Sequence, residues 1–109
     1  MAQTVIDSRL VNSLNGGLWV GGKATLSPAR LTFVPNAVNQ ALHSSPNQLN
    51  LSVPLTEIVD LQVRRGLITD VIDVQMHSGN CSFRCFKAKA FAVEIEQACA
   101  ALPTEASSP

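Results

Sequence analysis

At 109 residues the chain is long enough for one domain and too short for two. Its 46% hydrophobic content belongs to a globular protein and excludes disorder throughout. Eight basic and eight acidic side chains give a formal net charge of zero, which argues against nucleic-acid binding, where phosphate contacts call for a basic excess.

From the N-terminus, residues 1–14 alternate weakly through Val5, Leu10, Val11 and Leu14, compatible with a first strand or a short helix. Asn15, Gly16 and Gly17 signal a turn. Leu18 to Leu26 reads as a strand with Leu18, Val20, Ala24 and Leu26 on one face. Gly21 and Gly22 inside it suggest a bulge or a close backbone approach. Ser27, Pro28 and Ala29 form a turn, and Arg30 to Val34 returns as a strand with Leu31 and Phe33 inward. Pro35 to Asn50 is a long loop rich in Asn, Ser, Pro and Gln. Leu49, Leu51 and Val53 alternate as a short strand that Pro54 stops or marks as an edge.

The last third is the most regular. Strands are predicted over 58–65, 70–77 and 80–86, with a connection turning at Gly66 and a tight hairpin around Ser78, Gly79 and Asn80. Ile72, Val74 and Met76 share one face, as do Cys81, Phe83 and Cys85. From Ala88 the period becomes helical. Ala88, Phe91, Ile95, Ala98, Cys99 and Leu102 form one apolar stripe, and Pro103 ends the helix. A helix this short cannot hide its stripe alone, so it must lie on the sheet. The fold class is therefore mainly β with one C-terminal helix: a bent antiparallel sheet or partial barrel capped by that helix. Residues 1–17 form an N-terminal segment, 18–102 the domain and 103–109 a flexible tail.

No stretch is apolar enough for a membrane-spanning helix of about 20 residues, and no basic start precedes an apolar core at the N-terminus. A cytoplasmic protein is expected, with its three cysteines reduced. Charged residues are only 15%, so part of the surface is expected to be buried in a protein partner or in a second copy of the chain.

The candidate chemistry is sparse. His77, Cys81, Cys85 and Cys99 are the residue types of a zinc site. Cys81 and Cys85, however, stand about 13 Å apart on one strand at roughly 3.3 Å per residue. They cannot share an ion or a disulfide while that strand persists, and core cysteines are the simpler reading. His43 and His77 have no nucleophile or carboxylate at a motif spacing and read as solvated loop histidines. No catalytic residues, metal or cofactor are expected, and the protein is read as non-enzymatic. Trp19 either points outward as an interface anchor or is buried by a bulge at Gly21-Gly22. Antiparallel order puts Arg64 and Arg65 at the same rim as Arg84, Lys87 and Lys89, so five of the eight basic residues gather there. That rim suits an anionic partner, or is merely solvated charge beside Asp70.

Three segments carry a resemblance. Gly21-Gly22-Lys23-Ala24-Thr25-Leu26-Ser27-Pro28-Ala29-Arg30-Leu31-Thr32-Phe33 resembles a strand–turn–strand of the GRAM and pleckstrin-homology-like family. Leu51-Ser52-Val53-Pro54-Leu55-Thr56-Glu57-Ile58 is similar to that family's proline-containing strand entry. Ser78-Gly79-Asn80-Cys81-Ser82-Phe83 resembles its hairpin, with Ser78 in place of the usual acidic turn residue. The resemblance covers about residues 18 to 102 and is to small stand-alone, bacterial-type members. It implies a roughly orthogonal antiparallel sheet closed by the helix. It also implies an adaptor that binds protein or lipid, with a self-assembling structural domain or a small-ligand or lipid carrier as alternatives. Phosphoinositide binding in the family's mode is not expected. The segments the resemblance assigns to the open end, 15–17, 35–50 and 78–80, contain no Lys or Arg. Lys23 and Arg30 are basic, but Thr32 stands where a second arginine belongs. Membrane association by another route stays open.

Overall fold

The computed structural model describes residues 5–15, 17–36 and 50–102. Seven strands form one antiparallel sheet: β1 (Asp7–Asn15), β2 (Leu18–Leu26), β3 (Arg30–Pro35), β4 (Leu51–Pro54), β5 (Ile58–Arg64), β6 (Asp70–Met76) and β7 (Gly79–Cys85). Their order is β4-β3-β2-β1-β7-β6-β5. A 3-10 turn, Leu55–Glu57, leads into β5, and helix α1 (Ala88–Ala100) follows β7. This is the bent antiparallel sheet with one C-terminal helix that the sequence predicts.

The strand pattern is clearest where the sequence alternates most cleanly. Ile72, Val74, Phe83 and Cys85 are buried, whereas Asp73, Gln75, Ser82 and Arg84 lie on the other face. The inner face meets α1 through Ala88, Phe91, Ala92, Ile95 and Ala98. Phe33 and Phe83 bring the two halves of the sheet together, with ring centroids 6.1 Å apart. Leu26, Leu31, Leu55 and Phe91 fill the space between them.

β1 is a strand and not a helix, and it stands between β2 and β7. Its pairing with β2 runs without a shift from Asp7–Leu26 to Asn15–Leu18. Its pattern is mixed, with Val11 alone of its inward residues in the apolar core. Leu10 and Leu14 are exposed on the outer face, while Ser13 is buried and Arg9 half-buried on the inner one. Arg9 is accommodated there by Asp7 at 2.7 Å, by Glu94 of α1 at 3.4 Å and by the ring of Phe91, 5.2 Å from its guanidinium carbon.

Two expectations for β2 need correction. No bulge interrupts it: Gly22 is a close approach, where an added Cβ would lie 2.3 Å from the Val34 carbonyl oxygen and 2.7 Å from Pro35 Cα. Leu18 has the parity of Val20 and Ala24 but is 67% exposed, because the first residue of β2 overhangs the packed interior. Pro35 closes β3 instead of opening the loop. Most of that loop, Leu49 and the tail from Pro103 lie outside the described residues.

Phe91 and Ile95 are fully buried. Phe91→Ala and Ile95→Ala are each expected to cost about 2–5 kcal/mol, the usual range for large core truncations. Thermal or urea melts of the two variants check this, and unchanged midpoints would remove α1 from the core.

Candidate functional site: the basic end of the domain

The last paired rung of the β6–β7 hairpin is Asp70–Cys85, so the loop 65–69 and the turn Phe86–Lys87 leave the sheet side by side. Register places the cations relative to this end. Arg64 pairs with Val71, Val71 with Arg84, and Arg84 with Asn12, which makes one row across the outer face. Arg65 instead lines a groove of about 370 Å³ on the helix side, with Leu61, Val63, Asp70, Lys89 and Glu96. The five residues of the predicted rim thus surround one end of the domain from both faces of the sheet.

They are not equivalent. Arg64 is bound to the carboxylate of Asp73 through Nε, and through Nη2 at 3.1 Å. Ser82 Oγ donates to the same carboxylate at 2.6 Å. Arg64 holds the Asp73 carboxyl below its ordinary value, outweighing the opposing effect of partial burial, with a lesser contribution from Ser82. Arg84 lies over Trp19, its guanidinium carbon 4.3 Å from the ring centroid. Trp19 therefore takes the outward of its two expected orientations. It sits half-buried on the outer face beneath a cation, an arrangement that favours both partners. Arg65, Lys87 and Lys89 are exposed and form no ion pair among the described residues.

Lys87 has a second peculiarity. It caps α1 with φ 54° and ψ 41°, the left-handed conformation that only glycine adopts without steric cost. Its carbonyl accepts from the amides of Ala90 and Phe91 and from Arg9 Nη1, at 3.1, 3.3 and 3.3 Å. The first turn of α1 holds no acidic residue, so Lys87 and Lys89 stand unopposed at the positive end of the helix dipole.

The sequence reading treats 66–69 only as a connection and misses what its tip carries. Leu67 is fully exposed, Ile68 is 82% exposed and Phe86, in the neighbouring turn, 68%. Gly66, Leu67, Ile68 and Thr69 overhang a cavity of about 450 Å³ closed by Asn12, Val71 and Arg84. The available signal was two aliphatic residues directly after Arg64-Arg65-Gly66, in a turn where polar residues are usual.

The other candidates are dispersed. Cys81 and Cys85 lie on the inner face of β7. Burial raises both thiols, Cys81 to about 11, so neither is a ready thiolate. Cys99 is half-buried, its sulfur 4.0 Å from the Leu55 carbonyl oxygen, and it too is raised, mainly by burial. Among the described residues no three His, Cys, Asp or Glu side chains gather as metal ligands. His77 is exposed in its turn, and His43 lies outside the described residues. Lys23 is exposed between Leu10 and Val34, while Arg30 donates to Ser52 Oγ at 2.8 Å. No helix among the described residues is long and apolar enough to cross a membrane.

Comparison with solved structures places this architecture. The chain superposes on the Vps36 N-terminal PH domain with a TM-score of 0.67 at 14% identity, covering 89% of this chain and 79% of that one. The fold is pleckstrin-homology-like. A C-terminal domain of a protein of unknown function from Leishmania infantum matches with a TM-score of 0.68 at 18% identity, over 88% and 84% of the two chains. No protein-family model matches the sequence, and no curated sequence matches it significantly. At such identities the pleckstrin-homology-like likeness is one of fold.

Two measurements test the electrostatics of this end. Lys87→Gly is expected to stabilise the protein by about 0.5–1 kcal/mol in melts, since glycine relieves the left-handed strain. The folded-state value of Asp73 is depressed, so its contribution is present above the unfolded carboxyl value, about 3.9, and is lost as pH falls through the folded value. Melting curves of Asp73→Asn are therefore expected to lie below wild type at neutral pH and to converge with it in acid.

Proposed function

We propose that this chain is a non-enzymatic binding module that recognises an anionic partner with its basic end. The observation that carries the reading is the grouping of Arg65, Lys87 and Lys89, exposed and unpaired among the described residues, around the loop 65–69. Most of the carboxylates around them are engaged, and Glu96 lines the same groove as Arg65 and Lys89. Asp73 is held by Arg64 and Ser82, Asp70 accepts the Gly66 amide at 3.1 Å, and Asp7 and Glu94 are held by Arg9. The remaining cations project a positive field that an anionic surface would meet. The pleckstrin-homology-like fold supports binding over catalysis. The three sequence segments that resemble GRAM members support placing the chain in that branch.

Arg64 contributes to the field but is fastened to Asp73, so reversing its charge would set two carboxylates together. Arg65→Glu with Lys89→Glu tests the reading cleanly. Titrating fluorescent polyglutamate across a salt series, wild type is expected to bind with an affinity that falls as salt rises. The double variant is expected to bind more weakly and with a flatter salt dependence, without a loss of melting temperature. Equal affinity and slope for the two proteins would reduce the cluster to solvated charge.

A further inference from the structure

The sheet ends in β4 on one side and in β5 on the other. β4 is four residues long and stops at Pro54, whereas β5 is seven residues long and pairs, among the described residues, only with β6. A bulge between Ile58 and Asp60 confines the regular part of this edge to residues 60–64. An edge strand turns alternate amides and carbonyls outward, where another strand can meet them. Apolar surface lies beside it: Val63 is 36% exposed, and Val93 of α1 41%.

We infer that a second copy of this chain pairs with the β5 edge, antiparallel and in a register centred on Gln62, so that the two sheets join across a two-fold axis. The pattern of β5 fits its own reverse. In that register Asp60 stands opposite Arg64 of the second copy on the outer face, Leu61 opposite its Val63 on the helix side, and Gln62 opposite itself. Opposite charges, and apolar side chains, are the favourable pairs directly across antiparallel strands. Asp60 accepts from its own strand, from the Leu61 amide at 2.9 Å and from Gln62 Nε2 at 3.4 Å, and would gain a cation. Arg64 keeps its bond to Asp73 and gains a second carboxylate beside it. A shift of one residue would set inward side chains against outward ones. A shift of two would bring either the bulged Val59 against Val63 or Gly66 against Asp60, and both lose the charge pairing.

The helix layer carries the same symmetry. α1 runs antiparallel to β5: Lys89 and Val93 line a groove with Val63 and Arg65, while Glu96 and Cys99 line one with Ile58 and Leu61. Lys89, Val93 and Glu96 share the flank of α1 above that edge at helical spacing. The two-fold therefore brings Val93 toward its own counterpart and Lys89 toward Glu96 of the second copy. Because α1 lies over both β5 and β6, strands about 4.8 Å apart put the two helix axes about 10 Å apart, the ordinary distance for packed helices. Complementarity in both layers about one axis singles out the same chain as the occupant, over a strand of unrelated sequence. Of the unpaired cations at the basic end, only Lys89 enters this contact. Arg65 lies beyond the paired segment and Lys87 in the turn.

Sedimentation velocity over a concentration series reads the association, and cysteine cross-linking reads the register. Wild type is expected to pass reversibly from monomer to dimer and no further, because a two-fold contact closes on itself. Gln62→Cys is expected to form a disulfide-linked dimer under mild oxidation about tenfold or more faster than Asp60→Cys or wild type, since only a residue opposite itself has its partner within disulfide reach. Val93→Glu, which sets like charges together at the axis, is expected to weaken dimerisation about tenfold or more without loss of helical circular dichroism. Three results would overturn the inference. Wild type could stay monomeric at every concentration. It could grow into assemblies larger than a dimer. Or it could dimerise while Gln62→Cys links no faster than Asp60→Cys, or while Val93→Glu associates like wild type, which would put the contact on another face. Anion binding is read by its own titration, and its outcome does not decide this one.

Discussion

The structure depends on one burial problem. Helix α1 presents Phe91, Ala92, Ile95 and Ala98 along one stripe, and only the inner face of the sheet can remove that stripe from water. Packing it there draws Phe83 and Phe33 toward each other and fixes where the chain must turn between β7 and the helix. The turn is abrupt. Phe86 is left outside, and Lys87 is driven into a left-handed conformation so that Ala88 can start the helix fully buried. The basic end is in this sense a by-product of closing the core. The geometry that seals Phe91 inward also pushes Phe86, Lys87 and Lys89 outward beside the loop 65–69.

Charge then divides this end by function. Arg64 and Arg9 are occupied by carboxylates and serve the fold: Arg64 links β5 to β6, and Arg9 links β1 to α1 through Glu94. Arg84 is occupied by Trp19. Exposed ion pairs contribute little individually, so their effect here is chiefly to neutralise acids that would otherwise cancel the remaining cations. Zero net charge over the whole chain therefore conceals a polarised surface, which a count of residues cannot reveal.

Much of the fold was legible because its largest energies follow simple periods. The alternation of β6 and β7 and the stripe of α1 both report which side chains leave water, and the structure places them accordingly. β1 was hard to read for a specific reason: its inward positions include Arg9 and Ser13, and its outward positions Leu10 and Leu14. The inward arginine is tolerated through contacts with Asp7, Lys87, Glu94 and Phe91, the last three far away in sequence. Trp19 posed the same difficulty, since its environment is set by Arg84 on a strand remote in the chain. The co-location of the five cations was legible from antiparallel order alone. Which of them are engaged was not, because pairing depends on register across three strands. Leu67 and Ile68 escaped notice because periodicity has nothing to say about a turn.

The central claim is that the end formed by the loop 65–69 and the β7–α1 turn is the surface with which this domain works. Amide hydrogen exchange with and without polyglutamate tests it most directly, since it locates the contact without any substitution. The account predicts slowed exchange at residues 65–69 and 86–89 and little change at the β2–β3 turn. Protection confined to the β2–β3 hairpin or the β6–β7 turn, with 65–69 and 86–89 unaffected, would contradict it.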